Sequence, residues 1–409
     1  MQGTKKELLR YTDAHLQRII RNGGSCFLLG PRQVGKTTLV KHAVREKQNA
    51  VEYSLQDPSI RIDLEADPSR MIREVRARAH RPIVFVDEAQ KVPPLFDAAQ
   101  LLIDNREAQF ILTGSSARKL RRSGANLLPG RLTRLFLDPL LWGELGFVTA
   151  NSIPPLRLMN INRNIPYTFE DMLVFGSLPG IVALSRRERE ERLRSYAEIY
   201  LEEEIRAEAL SRKIGAFSRF LELAAAESGT SPNLTKLSNE SGVSQPSIRA
   251  FYEILEDTLV VERVEPYLKN ARKRVLSSPR HYFFDLGVRN ALARLPLDHR
   301  MINAQKGILF EHAIILEIIR RIRVLNKPYR VCFWRTSGGA EVDCVIDMGT
   351  RVIPIEIKAS AHVIESEVKG LKNFLIDYRR VAKEGYVITL GKRREKIAKN
   401  ITAIPWSEL

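Results

Sequence analysis

Residues 26–38 read Cys26-Phe27-Leu28-Leu29-Gly30-Pro31-Arg32-Gln33-Val34-Gly35-Lys36-Thr37-Thr38, and this stretch decides how the chain is read. An apolar run ends in G-x-x-x-x-G-K-T and is followed by Leu39 and Val40, so a strand passes through a glycine-containing loop into a helix. Gly30 and Gly35 allow a backbone whose N–H groups face a bound phosphate, and the helix amino end adds its positive dipole. In that geometry Lys36 reaches the outer phosphates and Thr37 ligates Mg²⁺. The expected cradle is Gly30, Pro31, Arg32, Gln33, Val34, Gly35, Lys36, Thr37 and Thr38, and the expected ligands are ATP and Mg²⁺.

Fifty residues on, Ile83-Val84-Phe85-Val86-Asp87-Glu88 sets two carboxylates at the exit of a continuous apolar strand. A doubly wound sheet places its ligand crevice at that exit. Asp87 is expected to hold Mg²⁺ through water, and Glu88 to orient and deprotonate the attacking water. The next apolar run, Phe110-Ile111-Leu112-Thr113, leads into Gly114-Ser115-Ser116, so Thr113 or Ser115 emerges beside the same crevice. A Ser-rich helix cap for 117–120 is the other reading of these residues. Arg118, Arg121, Arg122, Arg131 and Arg134 follow, any of which could neutralise developing charge in the same chain or in a neighbouring subunit. The runs 26–30, 50–54, 83–87, 110–113 and 132–137 alternate with helical stretches. That order predicts an α/β fold on a parallel sheet.

The series GPRQVGKTT, IVFVDEAQ, LTGSSARKL and LLPGRLTRLFLDPL resembles the AAA-type P-loop ATPases of bacteria and archaea that carry an uncharacterised carboxy-terminal region. The resemblance implies ATP hydrolysis and a place near the nucleotide for Arg131. Further on, FGSLPGIVAL and SYAEIYLEEEIR resemble that family's linking helical segment, with Glu202–Glu204 where an acidic and basic pairing is usual. The expected organisation is an ATPase domain over 1–150, a helical linker or lid over 151–213, a winged-helix module over 214–299 and a restriction-endonuclease-like domain over 300–409.

The third of these rests on its own pattern. Helices are expected from Gly215 to Glu227 and Leu234 to Asn239, then, after the turn Ser241-Gly242-Val243-Ser244, through Asp257. In the last helix Ile248, Phe251, Tyr252 and Leu255 fall at i, i+3, i+4, i+7, which leaves Ser247 and Arg249 outward, where a helix-turn-helix meets base edges. Strands at 259–264 and 281–285 would flank a loop holding Lys269, Arg272, Lys273 and Arg274, a basic wing suited to phosphates. A lid or protein-binding module has the same pattern.

Near the carboxy end, Glu311 falls on or near the apolar side of a helix spanning 307–325. Two strands, 341–346 and 351–358, flank Gly349-Thr350. A two-residue loop led by glycine sets Asp343 opposite Glu356. Glu356 and Lys358 then share one strand face, while Ile353, Ile355 and Ile357 fill the other. Two acids and a lysine on one side of a hairpin are the grouping a Mg²⁺-dependent phosphodiesterase needs, with Asp343 and Glu356 as a candidate second metal site. With Glu311, the pattern resembles the PD-(D/E)xK restriction-endonuclease-like fold, which implies a nuclease-like site of Glu311, Asp343, Glu356 and Lys358, active or kept as a binding module.

Composition bounds these readings. The 409 residues carry 65 Lys+Arg against 48 Asp+Glu, a net charge of +17 that favours polyanions such as DNA. The excess is concentrated in residues 1–150 and 301–409. Cys26, Cys332 and Cys344 are too few and too far apart for a disulfide framework or a four-ligand zinc site, and fit a reducing cytoplasm. No stretch approaches the roughly 18 apolar residues of a membrane span, and the amino terminus lacks a signal-peptide core. The expected protein is an ATPase coupled to DNA binding or processing. The alternative is a nucleotide-driven switch or scaffold acting on a protein partner, and a homo-oligomer suits either.

Overall fold

The structure is a computed structural model describing residues 8–45, 47, 49–116, 128–162, 165–207, 214–268 and 278–409, with the backbone alone at 200–207 and 214. Arg118, Arg121 and Arg122, the cap reading for 117–120, and Lys269, Arg272, Lys273 and Arg274 lie outside the described residues, as do the side chains of Glu202–Glu204. The chain divides into two compact units, 1–139 with 253–260, and 140–252 with 261–409.

In the first unit, helix α1 (Tyr11–Arg21) leads into β1 (Ser25–Leu29), the loop, and α2 (Lys36–Val44). β2 (Ala50–Ser54), α3 (Pro58–Ala66), α4 (Ser69–Arg76), β3 (Ile83–Asp87), α5 (Leu95–Asp104), β4 (Gln109–Gly114) and β5 (Leu132–Phe136) follow. The strands pair in parallel in the order β2-β3-β4-β1-β5. β1, β3 and β4 lie inside the sheet and are buried at nearly every position, so both of their faces are covered and neither needs polar alternation, which explains their unbroken apolar sequence. Phe27, Val84, Val86, Phe96, Phe110 and Leu112 are buried in this core. Thus the chain is α/β with a parallel sheet in its first unit, and the carboxyl ends of β1, β3 and β4 share one edge.

The second unit begins with helical segments, including Phe169–Phe175, Arg186–Ala207, Ile214–Ala226, Leu234–Ser241 and the first eight residues of Gln245–Asp257. Ile248, Phe251 and Tyr252 are buried. Phe251 packs edge-on to Phe217 with centroids 4.9 Å apart, and Tyr252 meets Phe220 at 5.1 Å. β6 (Val261–Pro266) and β7 (Arg280–Phe283) form an antiparallel pair. They do not stand alone. β6 also pairs in parallel with β8 (Arg330–Arg335), so both join β9 (Glu341–Asp347), β10 (Val352–Lys358), β11 (Gly385–Thr389), β12 (Glu395–Ala398) and β13 (Ile401–Pro405) in one sheet, ordered β12-β13-β11-β10-β9-β8-β6-β7.

Helix Arg300–Val324, kinked at Gln305, carries Glu311. Inside it Glu317 and Arg321 form a fully buried ion pair at 2.7 Å, and Glu317 also accepts from the Trp142 N–H. Arg321 Nη1 also donates to the Leu156 and Leu409 carbonyls, which offsets part of the cost of burying the pair, while its Nη2 has no hydrogen-bond partner. Among the described residues no helix is long and apolar enough to cross a membrane.

The loop after β1 leaves no room for a side chain at its first glycine. A Cβ on Gly30 would lie 2.2 Å from the Leu137 carbonyl oxygen. Gly30→Ala is therefore expected to destabilise the first unit by about 1–3 kcal/mol, since backbone must move; a lowered urea midpoint checks this, and an unchanged one would mean that the β1 and β5 exits separate freely.

Candidate functional site

The glycine-containing loop joins β1 to α2 at the carboxyl edge of the parallel sheet. Gly35 has φ +94, a left-handed conformation that glycine takes without steric cost, and Gln33 shares that region at φ +63. Lys36 is buried, and its ammonium donates to the Gly30 carbonyl at 2.9 Å and the Pro31 carbonyl at 2.8 Å. The cation is thus anchored on the rim of its own loop. Burial lowers its pKa, against the raising influence of Glu88 and Asp87.

Asp87 is the point where three elements meet. Thr37, at the start of α2, donates its hydroxyl to both Asp87 oxygens at 3.0 Å. Thr113, near the end of β4, donates at 2.6 Å, and Gln56 at 3.0 Å. Glu88 follows in a left-handed conformation, φ +56, uncommon outside glycine and frequent where a site stores strain. Its backbone N–H donates to the Thr113 hydroxyl at 3.1 Å, and its Oε2 accepts from Ser115 at 2.8 Å and from the Gln90 amide. Burial alone would raise the Glu88 carboxyl, but the Lys36 ammonium and the bonds from Gln90 and Ser115 outweigh it and hold the pKa below the usual value. Glu88 is therefore ionised at neutral pH.

Arg131 is not brought to this edge. It precedes β5 at the opposite end of the strand, roughly 16 Å of extended chain from the loop. There it makes a bidentate pair with Asp104, at 2.6 and 3.0 Å. Gln56, Gln90 and Arg10 carry no motif of their own and were missed by sequence reasoning. The only local signal was the position of Gln90 two residues after Glu88.

The carboxy-terminal acids do converge. β9 and β10 pair Asp347 with Val352, Ile346 with Ile353 and Cys344 with Ile355, and the same register one step on sets Asp343 opposite Glu356. Gly349 leads the turn with φ +85. Asp343 accepts the Ile357 N–H at 2.7 Å, and Lys358 meets Glu356 Oε1 at 2.8 Å, while the buried Glu356 Oε2 has no hydrogen-bond partner. Glu311 accepts the Tyr282 hydroxyl at 2.9 Å and lies 3.5 Å from the Arg280 guanidinium. Arg280 also pairs with Glu341 and covers the Phe333 ring at 4.5 Å. Burial, then the nearby Asp343, pushes both Glu311 and Glu356 up to about 7. Burial also raises Asp343, against the Ile357 N–H and Lys358. Burial lowers Lys358, but its bond to Glu356 together with the charges of Glu356, Asp343 and Glu367 outweighs that and raises it. Among the described residues, no group of three or more His, Cys, Asp or Glu side chains is arranged to hold a metal ion.

Residues 22–146 match a family model described as an AAA domain. Beyond that match, residues 167–299 and 306–409 match two domains of unknown function, DUF8612 and DUF4143. Two uncharacterized mycobacterial proteins, Rv2008c of Mycobacterium tuberculosis and Mb2031c of Mycobacterium bovis, are each 25% identical over 403 residues, 97% of this chain and 83% of the relative. Among solved structures, the Walker-type ATPase PABY2304 of Pyrococcus abyssi is 15% identical over 70% of this chain and 96% of its own, with a TM-score of 0.46. The ORC1 protein of Aeropyrum pernix in complex with DNA is 14% identical over 74% and 97%, with a TM-score of 0.31.

Carboxyls whose folded pKa is raised bind protons more readily folded than unfolded, so their contribution to stability falls as pH rises from about 4.5 through 7. The second unit is expected to melt at a lower temperature at pH 8 than at pH 5 in chelator-containing buffer. Glu356→Gln should remove part of that difference. Identical pH profiles for the two proteins would show that Glu356 is ionised at no cost.

Proposed function

We propose that the first unit binds ATP with Mg²⁺ and hydrolyses it, and that the second unit couples turnover to DNA. The observation that carries the first half is the meeting of Thr37 and Asp87. A loop hydroxyl and a strand-end carboxylate lie within hydrogen-bond distance, and Gln56 and Thr113 fix that carboxylate from two other elements. These oxygens fit a hard, oxygen-seeking cation. Thr37 and Asp87, the latter through water, would hold Mg²⁺, which supplies neutralisation of phosphate charge when bound.

The protein's own residues do the rest. Backbone N–H groups of residues 30–38 cradle the phosphates, and Lys36 exchanges its loop carbonyls for the outer phosphate oxygens. Glu88, ionised and held by Ser115 and Gln90, orients the attacking water and takes its proton. Thr113 and Ser115 carry the state of the outer phosphate to Glu88. Arg131, at the far edge of the sheet, would reach a phosphate only from a neighbouring copy, so an oligomer belongs to this reading. Three buried free cysteines, Cys26, Cys332 and Cys344, suit a cytoplasmic setting.

For the second unit the reading is a linking segment over 151–213, a winged helix over 214–299 and a restriction-endonuclease-like domain over 300–409. The three helices before the β6–β7 pair, the exposed Arg249 and the basic balance of the chain support a DNA partner. A second reading, a nucleotide-driven scaffold acting on a protein with an inactive nuclease-like domain, is favoured by the acid cluster. Glu311, Asp343 and Glu356 each engage a protein donor, and as arranged they do not fit a second metal.

Lys36→Ala should abolish ATP turnover. Glu88→Gln should retain ATP while turning over at least about 100-fold more slowly, the usual scale for loss of a general base; hydrolysis at the parent rate would remove Glu88 from the role. Duplex DNA at low salt should stimulate turnover, the effect falling steeply as salt rises. Turnover indifferent to DNA, with nuclease assays unchanged by Asp343→Ala and Glu356→Ala, would favour the scaffold.

A further inference from the structure

Arg10 lies outside every nucleotide motif, yet its guanidinium ends against the loop backbone. It precedes α1 and is 9% exposed. Nη1 donates to the Val34 carbonyl at 2.9 Å and Nη2 to the Asp138 carbonyl at 2.6 Å, partners 24 and 128 residues away. Nη1 also lies 4.0 Å from where a Cβ on Gly35 would stand. A guanidinium is a rigid planar fork, so one group fixes both bonds at once. Burying a cation is costly unless its donors are used, and here donors are used on main-chain carbonyls.

The peptide that Arg10 holds joins Val34 to Gly35. In a trans peptide the C=O and the following N–H point to opposite sides. With the Val34 oxygen drawn to Arg10, the Gly35 N–H is turned the other way. Gly35, at φ +94, offers little resistance of its own to rotation of this peptide. The Asp138 bond ties the same guanidinium to the chain leaving β5, so the loop is referenced to the sheet.

We propose that Arg10 is a positioning residue for phosphate binding. It fixes the Val34–Gly35 peptide with its N–H toward the phosphates, so nucleotide affinity depends on a side chain that does not touch the nucleotide. The proposal rests on the reading of residues 30–38 as an ATP site.

The test is calorimetric titration of the full chain with ATP and with ADP, both with Mg²⁺, comparing the parent with Arg10→Met and Arg10→Lys. Arg10→Met is expected to raise both Kd values roughly tenfold or more, the scale of losing a hydrogen bond to a charged donor. In turnover the KM should rise while kcat stays within about twofold, since Glu88 and Lys36 are intact. Millimolar guanidinium ion should restore part of the affinity of Arg10→Met, which a merely destabilised chain would not show. Arg10→Lys, able to keep one bond, should fall between the two. If Arg10→Met fails to fold, the lysine variant decides: parent-like affinity overturns the proposal, weakened affinity at an unchanged melting temperature supports it. Equal affinities in the parent and a folded Arg10→Met also overturn it. A parent chain that binds neither nucleotide would instead sink the ATP reading itself.

Discussion

The Asp87 carboxylate is where the first unit is tied together. Thr37 reaches it from the start of α2, Thr113 from β4 and Gln56 from the chain after β2, while Asp87 itself ends β3. One carboxylate at the end of β3 thus accepts donors from three other pieces of the unit. That is economical in a fold whose strand ends carry unpaired main-chain groups and whose loops must be ordered before a ligand arrives. Glu88 inherits this order. Its N–H is bound by the same Thr113 hydroxyl that serves Asp87, so the position of the adjacent acid follows from the first.

The two acidic centres show opposite electrostatic solutions to burial. At Glu88 a nearby ammonium and two neutral donors overcome desolvation, and the carboxylate keeps its charge. At Glu311 and Glu356 desolvation is reinforced by other acids, and Lys358 and Arg280 only partly answer it. The first arrangement keeps an ionised carboxylate at the edge of the sheet. The second holds protons near neutrality and leaves one buried oxygen, Glu356 Oε2, without a partner.

What the sequence made legible was local. The loop could be read because glycine, lysine and threonine sit in consecutive chemistry, and Asp87-Glu88 because an apolar strand must end where its burial ends. The hairpin register was readable from two residues, since a two-residue turn dictates every pair beyond it. Arg10, Gln56 and Arg280 were not readable, because each acts on residues more than twenty positions away and none interrupts a periodic pattern. The end of β5 that Arg131 occupies was not readable for a related reason. Proximity in sequence to a strand says nothing about which end of that strand a ligand occupies, and the bond to Asp104 fixes the far end. β6 and β7 look like a self-contained hairpin in the sequence, since pairing with β8 sixty-odd residues later leaves no mark on their composition.

That last pairing bears on where the chain can be cut. Glu265 and Pro266 lie in register with Cys332 and Phe333. A fragment ending before residue 300 would keep its three helices but strip β6 of a neighbour, and a fragment beginning there would bare the matching edge of β8. Both would present unpaired main-chain groups of the kind that recruit strands from other molecules. Separately expressed halves of the second unit would thus be prone to aggregate, however plausible each looks as a module.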